Sequence, residues 1–261
     1  MIRAGVGGWN FEPWRGVFFP KGTPKTKELA YASRQLTTIE VNGTFYSTFK
    51  PPTFKKWHDE TPDDFVFSLK ANRFAVNRKV LGDAKPSIDR FLESGVSELK
   101  GKLGPILWQF MPTKKFDPAD AEAFLALLPK SIDGVTLRHA IEPRHDSFKT
   151  KEFVALARKH GAAIVFADSK KYPAIADATA DFVYCRLQES QEKIATGYAP
   201  ADIRRWADAA KAWQAGGAPK GLELLGKAAP KKTRDVFVYF IAGAKVRNPA
   251  AAQAFLKAVN G

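Results

Sequence analysis

The chain is poor in the residue types that build disulfides and zinc sites. Its 261 residues include one cysteine, two methionines and four histidines. Cys185 alone cannot form an internal disulfide and has no Cys or His at metal-ligand spacing, so we interpret it as a buried strand residue. A multinuclear zinc site would need several histidines. His58 and His160 fall in predicted helices, and only His145 is well placed at the end of a predicted strand.

Long apolar runs are absent as well. No stretch reaches the roughly 18 apolar residues of a membrane span, and the first residues lack the long apolar stretch of a secretory signal. We therefore expect no membrane association and a cytoplasmic location. The composition, 45% hydrophobic and 26% charged, is typical of a globular protein with a sizeable core.

Acidic residues are scarce relative to basic ones. The chain has 41 Lys and Arg against 27 Asp and Glu, a formal net charge of +14 that attracts polyanions, so nucleic acid is one candidate partner. The densest basic cluster, residues 229–234, lies between predicted elements, as solvated loops do. Recognition of phosphate or carboxylate inside a pocket is the other explanation. Nothing in the sequence sets an oligomeric state.

Hydrophobic periodicity predicts eight strands separated by helices or loops. The predicted strands cover residues 2–7, 37–42, 65–70, 105–112, 134–142, 162–168, 180–186 and 236–240. The predicted helices cover residues 24–35, 51–57, 87–100, 118–128, 148–160, 200–215 and 249–259. This alternation favours a closed (β/α)8 barrel of the TIM type over an open doubly wound sheet. No Pro/Gly/Ser-rich linker interrupts it, so we predict a single domain over residues 1–261.

Six consecutive predicted strands end in polar or charged side chains. Active sites of TIM-type barrels form at these C-terminal strand ends. Glu40 and Asn42, two residues apart on a strand, share one face. We predict that the strand-end residues meet at a common mouth: Glu40, Asn42, Lys70, Asn72, Gln109, Glu142, Arg144, His145, Asp168 and Arg186.

The three carboxylates of this set offer the oxygen ligands that magnesium or manganese prefers. Three cations come from the same strand ends, and cations beside carboxylates more simply form a charge-balanced network. We therefore predict no metal ligands and no cofactor, with a divalent metal as the alternative.

Without a metal, the carboxylates serve as acid and base. Burial among apolar strands raises the pKa of a carboxyl group and an adjacent arginine lowers it, so opposed environments can separate an acid from a base. Glu40 and Glu142 are the candidates for these roles, with His145 as a proton shuttle near neutral pH. Asp168 is a further candidate catalytic carboxylate.

The other strand-end residues are candidates for substrate binding. Lys70, Arg144 and Arg186 would bind phosphate or carboxylate, arginine with bidentate geometry, beside the amides of Asn42 and Gln109. Aromatic residues near the first two strands would stack on a sugar or base, or would close the barrel mouth as a hydrophobic lid. They are Trp9, Trp14, Phe45 and Tyr46.

Separate short stretches carry a family resemblance in their order along the chain. They are Gly7-Gly-Trp9, Trp14-Arg-Gly16, Phe18-Phe-Pro20, residues 39–46, Phe67-Ser-Leu-Lys70, residues 104–109, Glu142-Pro-Arg-His145, Ala167-Asp168 and residues 181–186. Together they resemble the YecE-like family, domain of unknown function 72, from residue 2 to about residue 240. The resemblance implies a TIM-type barrel with the matched polar residues around its site, and it implies no established reaction.

One departure from that family follows the eighth strand. Members usually carry a polar Phe-Asn-Asn-Asp type motif there, whereas this chain has Ile241 and Ala242. The polar contribution of the eighth strand is therefore missing, which implies either a different substrate or a pocket that closes differently.

These observations predict an enzyme, a hydrolase, lyase or isomerase, that acts on a small anionic or phosphorylated molecule at the barrel mouth. Two alternatives remain open. The +14 charge favours a nucleic-acid binding or processing protein, and the missing motif after the eighth strand favours a degenerate barrel that serves as a binding module.

Overall fold

Eight parallel strands close into a barrel in the computed structural model, which describes all of residues 1–261. They are β1 Ile2–Gly7, β2 Thr38–Val41, β3 Val66–Lys70, β4 Leu103–Gln109, β5 His139–Glu142, β6 Ala163–Asp168, β7 Phe182–Leu187 and β8 Asp235–Phe240. Each strand pairs with the next along the chain, and β8 pairs with β1. The predicted TIM-type (β/α)8 barrel is confirmed.

Nine helices accompany the strands. They are α1 Glu28–Gln35, α2 Gly43–Tyr46, α3 Pro51–Glu60, α4 Arg73–Val76, α5 Lys85–Leu92, α6 Pro118–Ala126, α7 Lys151–Lys159, α8 Pro200–Gln214 and α9 Asn248–Asn260. The start of α6 shows why the sequence signals work, because the Asp117 carboxylate accepts hydrogen bonds from the backbone N–H groups of Ala119 and Asp120. Pro118 fills the first helical position, where no N–H is needed.

Two predicted elements differ from the structure. The strand predicted over residues 134–142 is split into a short antiparallel hairpin, Ser131–Ile132 with Val135–Thr136, and the barrel strand β5. Asp133 and Gly134 both have positive φ at the hairpin turn. The helix predicted over residues 87–100 ends at Leu92, because Gly95 adopts a left-handed conformation and the chain continues as a 3-10 turn, Val96–Lys102.

The core has two layers. The larger lies between strands and helices, and a smaller layer of ten residues fills the barrel itself, including Leu107, Ala140, Val165, Tyr184 and Tyr239. Side chains on a strand alternate between its faces, so the inward position on β4, β5 and β7 continues to the last residues of those strands. This alternation brings polar side chains to the C-terminal mouth of the barrel.

The structure also bears on membrane association. None of its helices combines the length and the apolar character that crossing a bilayer requires.

Candidate active site

Arg186 on β7 lies between two carboxylates at the C-terminal mouth. Its Nη1 donates to both oxygens of Glu142 at 2.7 Å. On the other side its Nε and Nη2 donate to the two oxygens of Glu40 at 3.1 and 3.0 Å. Both carboxylates are 0% exposed. Three strand ends that are far apart in the sequence are thus joined in one buried ion triad. The sequence predicted that these side chains meet at one mouth, but it did not predict this pairing.

Polar side chains on the inward faces hold this triad in place. The Tyr184 hydroxyl donates to Glu40 at 2.7 Å and bonds Ser68 at 2.8 Å. Gln109 on β4 donates its amide N–H to Glu142. Burial, followed by the negative charge of Glu40, raises the pKa of Tyr184 well above its ordinary value, so this hydroxyl stays protonated as a donor.

The electrostatics of the triad favour the ionised forms of Glu142 and Arg186. Burial opposes the charge on Glu142, but Arg186 and Arg144 lower the pKa of this carboxyl below its ordinary value. Burial likewise opposes the charge on Arg186, and Glu142 and Glu40 raise its pKa. Every oxygen of both carboxylates already accepts a hydrogen bond from Arg186. The predicted division of acid and base between Glu40 and Glu142 therefore stays a prediction, and in this arrangement neither is a free base.

Lys70 at the end of β3 differs from the triad in having no partner. It is 7% exposed, and its ammonium takes part in none of the hydrogen bonds or ion pairs that the structure contains. The Phe45 ring lies 4.1 Å from its Nζ. Burial, followed by the charge of Arg186, lowers the pKa of Lys70 from 10.5 to about 8. Lys70 is thus a cation of the mouth that forms no hydrogen bond or ion pair within the protein.

Arg144 brings a second incompletely paired cation to the same place. One of its terminal nitrogens lies 3.5 Å from Glu142, and the other donates to the Tyr172 hydroxyl at 3.3 Å. The guanidinium stacks 4.2 Å from the centre of the Tyr172 ring, and its Nε is buried without a hydrogen-bond partner. A buried N–H without an acceptor carries a desolvation cost that a bound anion would relieve.

Two residues of this region, Tyr172 and Gln188, were missing from the sequence prediction. Phe45 was predicted as a stacking surface or part of a hydrophobic lid, and its contact with the Lys70 ammonium was not predicted. Gln188 follows Arg186 by two residues, the inward spacing of β7, and its side-chain nitrogen is buried without a partner. Extending the alternation of β7 by one step would have identified Gln188. The loop position of Tyr172 carries no such periodic signal.

Asn42 and His145 follow β2 and β5 but take part mainly in local structure. The Asn42 amide nitrogen is 3.5 Å from the backbone oxygen of Glu40, and a Cβ atom at Gly7 would approach it within 2.9 Å. His145 accepts a hydrogen bond from the Ser147 backbone N–H through Nδ1 and caps the 3-10 turn Asp146–Phe148. Its predicted role as a proton shuttle therefore depends on Nε2.

The two aromatic residues predicted to bind substrate have different environments. Trp9 packs edge-on against Trp57 of α3 at 5.3 Å and against Phe67, within the layer outside the barrel. Trp9 is a packing residue there and not a lid over the mouth, and its role in substrate stacking stays a prediction. Tyr46 is 65% exposed and contacts Phe45 at 5.0 Å between ring centres. Tyr46 therefore remains available as a stacking surface.

Asp168 does not join the mouth, which corrects its predicted position. Ala163 and Val165 point into the barrel, so Asp168 falls on the opposite face of β6. Burial raises its pKa to about 6, and the charges acting on it are those of Arg205, Glu189 and Asp202. Its carboxyl thus lies beside the start of α8.

The divalent-metal alternative depended on three carboxylates meeting. Glu40 and Glu142 bind Arg186 instead, and Asp168 lies on the other face of its strand. No group of three or more His, Cys, Asp or Glu side chains converges in a way that could hold a metal ion.

The end of β8 forms an apolar wall of the mouth. Ile241 belongs to the layer inside the barrel. Ala242 has a φ of +56° and exposes no polar side chain, and its carbonyl accepts a hydrogen bond from the buried Asn248 at 3.2 Å. The missing polar contribution of the eighth strand is therefore confirmed, and Asn248 tethers the chain there instead of facing the site.

A closed barrel of eight parallel strands, with ionisable side chains at the C-terminal strand ends, defines a TIM-barrel protein with a candidate active site. The chain belongs to the family described as Protein of unknown function DUF72, whose sequence profile matches residues 3–261. The resemblance seen in the sequence is confirmed.

The relatives that match this chain are distant in sequence. The UPF0759 protein YecE of Escherichia coli K12 is 27% identical over 154 residues, which cover 58% of this chain and 51% of YecE. The match thus spans about half the length of this curated relative. A DUF72 family protein of Thermotoga maritima matches over the whole of both chains with a TM-score of 0.75 and 21% identity. One from Enterococcus faecalis covers 100% of this chain and 96% of its own, with a TM-score of 0.73 and 16% identity. At these identities the solved structures support the fold.

Proposed function

We propose that the C-terminal mouth is the active site of an enzyme, a hydrolase, lyase or isomerase, that acts on a small anionic molecule such as a phosphorylated or carboxylated metabolite. The observation that carries this proposal is Lys70, a nearly buried amine without a protein partner. Burying an unpaired charge is costly unless a ligand compensates it. Perturbed pKa values of this kind concentrate at functional sites.

The anion would bind between Lys70 and Arg144. Both are cations at the C-terminal mouth, Lys70 at the end of β3 and Arg144 just after β5, with β4 between these strands. Arg144 keeps a buried N–H without an acceptor. Gln188 offers a second buried N–H. Phosphate and carboxylate oxygens accept several charge-assisted hydrogen bonds at once, so a single anionic group satisfies these donors together.

Lys70 is also the best candidate for proton transfer. A lysine with a pKa of about 8 is partly neutral near physiological pH and can accept a proton from a substrate or from water. The three reaction classes share this requirement for a proton-transfer group next to an anion-binding group. The triad of Glu40, Glu142 and Arg186 would then act as a rigid charged floor that positions the groups above it.

The test begins with binding. A panel of phosphorylated and carboxylated metabolites, each paired with an uncharged analogue, is screened by thermal shift, and hits are assayed for turnover. We expect hits among the anions only. Lys70→Met should weaken the hits at least tenfold and abolish turnover, whereas Lys193→Met, a change at an exposed lysine between β7 and α8, should leave both unchanged.

Lys70→Arg separates the two roles of the residue. Arginine keeps the positive charge but stays protonated at all working pH values, so the variant should bind the anion and fail in turnover. For the wild type, kcat should rise with pH as Lys70 loses its proton in the complex, through an apparent pKa above about 8, because the bound anion raises the pKa of Lys70. Full turnover by Lys70→Met, or hits confined to uncharged compounds, would contradict the proposal.

Glu142→Gln is a less informative variant. It removes one charge from a buried triad, so it should lose stability and turnover together. Lys70→Met removes a charge that has no partner, so it should lose turnover while the fold gains stability. The two variants should therefore change stability in opposite directions, so a loss of turnover in Lys70→Met cannot be caused by unfolding.

A further inference from the structure

The opposite end of the barrel opens into a basin of about 1510 Å³. Its floor is made by inward residues near the beginnings of the strands, Val66, Phe182 and Phe237. Its rim comes from the turns and loops that precede the strands, including the 3-10 turn before β4, the hairpin before β5 and the segment before β8. This surface lies at the N-terminal mouth, away from the candidate active site.

The basin is strongly basic. Eight Lys and Arg side chains line it against two aspartates, Asp181 and Asp235. Three of the eight cations are already paired: Arg138 with Asp235 at 2.7 Å, Arg158 with Asp177 at 3.7 Å, and Lys159 with Glu122. Lys100, Lys130 and Lys232 are exposed, and their ammonium groups take part in none of the hydrogen bonds or ion pairs of the structure. These three unpaired lysines give the N-terminal mouth a positive field that is open to solvent.

Lys100 is held in an unfavourable backbone conformation at the rim of the basin. Its φ is +49° and its ψ is −128°, a combination that suits glycine and strains a residue with a side chain. Strain of this kind persists where the surroundings impose it, and it clusters at binding sites. In this protein the strained residue is a lysine at the rim of the basic basin.

We infer that this basin binds nucleic acid through its phosphate backbone, without reading the base sequence. Protein–nucleic acid interfaces are polar and positively charged. A protein partner would instead need apolar anchors, and none of the exposed large apolar side chains, Met1, Val17, Tyr46, Phe74 and Val80, lines the basin. The lack of an exposed aromatic ring also removes the platform on which bases stack. Affinity therefore rests on charge.

Fluorescence anisotropy with a labelled oligothymidine of about 20 nucleotides, and with a duplex of the same length, tests this site. The basin variant carries Lys100→Glu, Lys130→Glu and Lys232→Glu. The matched control carries Lys21→Glu, Lys25→Glu and Lys193→Glu, three exposed lysines in the loops at the C-terminal end of the barrel. Each set makes three changes of two charges, so both lower the formal charge from +14 to +8.

We expect the wild type to bind both probes, with affinity that falls between about 50 and 200 mM salt. The basin variant should lose at least tenfold in affinity, and its log–log salt slope on the single strand should be shallower by about 2, from roughly 0.7 for each lost phosphate contact. The control should stay within about twofold of the wild type. Lys70→Met should bind the probes normally, which separates this site from the proposed active site.

Three results would overturn the inference. The wild type could fail to bind either probe at low salt. The two triple variants could lose affinity equally, which would assign binding to the total charge. Poly-glutamate could compete as well as an unlabelled oligonucleotide at equal charge, which would assign the basin to acidic protein segments.

Discussion

The two mouths of the barrel use the same charged residue types under opposite physical conditions. At the C-terminal mouth, Arg186 and two carboxylates are almost completely buried and bonded to one another. At the N-terminal mouth, eight basic side chains line an open basin, and Lys100, Lys130 and Lys232 among them are exposed and unpaired. Charges in a low-dielectric interior interact strongly and set geometry, whereas charges in water are screened and produce a field. The comparison indicates a rigid site at one end and a docking surface at the other.

Arg186→Met should have the largest effect, because it leaves two buried carboxylates without their shared cation. Breaking a buried ion network in this way costs about 3 to 5 kcal/mol of the free energy of unfolding. Arg138→Met is the matched change at the N-terminal mouth, where a half-exposed pair with Asp235 should contribute at most about 1 kcal/mol. Urea unfolding of both variants measures the contrast. Equal losses would show that burial does not distinguish the two mouths.

Lys70→Met should stabilise the fold, by about 1 to 3 kcal/mol at pH 7, because it removes a buried charge without a partner. The pKa of Lys70 is about 8 in the folded protein and 10.5 in the unfolded chain. The unfolded chain therefore binds the proton more tightly between these values, and the wild type gains stability as pH rises through them. The advantage of the variant should shrink between pH 7 and pH 10 in urea titrations. A stability advantage that does not change with pH would show that the pKa of Lys70 is not lowered in the folded protein.

Lys100→Gly should give a smaller gain, about 1 kcal/mol, because glycine adopts the backbone angles of Lys100 without strain. The same change removes one cation from the basin, so nucleic-acid affinity should fall while thermal stability rises. Lys130→Gly, at an exposed lysine without positive φ, is the control and should show no gain in stability. A fall in stability for Lys100→Gly would mean that the strain is compensated by contacts of the lysine.

The fold and the members of the triad could be predicted from the sequence. Alternation along β2, β5 and β7 predicts inward positions for Glu40, Glu142 and Arg186, and the regular strand–helix order predicts closure. The ion pairing within the triad could not be predicted from the sequence. Both carboxylates bind the same arginine, and that choice depends on distances across the barrel. Because Glu40 and Glu142 pair with Arg186, Lys70 is left without an ion-pair partner. This could be predicted only from the structure.

Two further features escaped prediction for different reasons. Asp168 was assigned to the mouth because it ends a strand, although its alternation with Ala163 and Val165 places it on the other face. The basic basin is assembled from segments that are far apart along the chain. Only residues 229–234 stand out as basic in the sequence, and the closed barrel is needed to bring the lysines and arginines of the other segments beside them.

Asp168→Asn should have the smallest effect on stability. It also tests whether Asp168 belongs to the C-terminal mouth. Burial raises the pKa of Asp168 to about 6, above the ordinary 3.8, so its ionised form opposes folding at higher pH. The variant should gain about 0.5 kcal/mol at pH 8, with the partial exposure of the group limiting the gain, and this gain should vanish as pH falls below about 4. Asp208→Asn, at an exposed position on the same helix as Arg205, is the matched control for the loss of one carboxylate. Because Asp168 lies outside the mouth, the variant should keep full turnover, and a loss of turnover at unchanged stability would return this carboxyl to the active site.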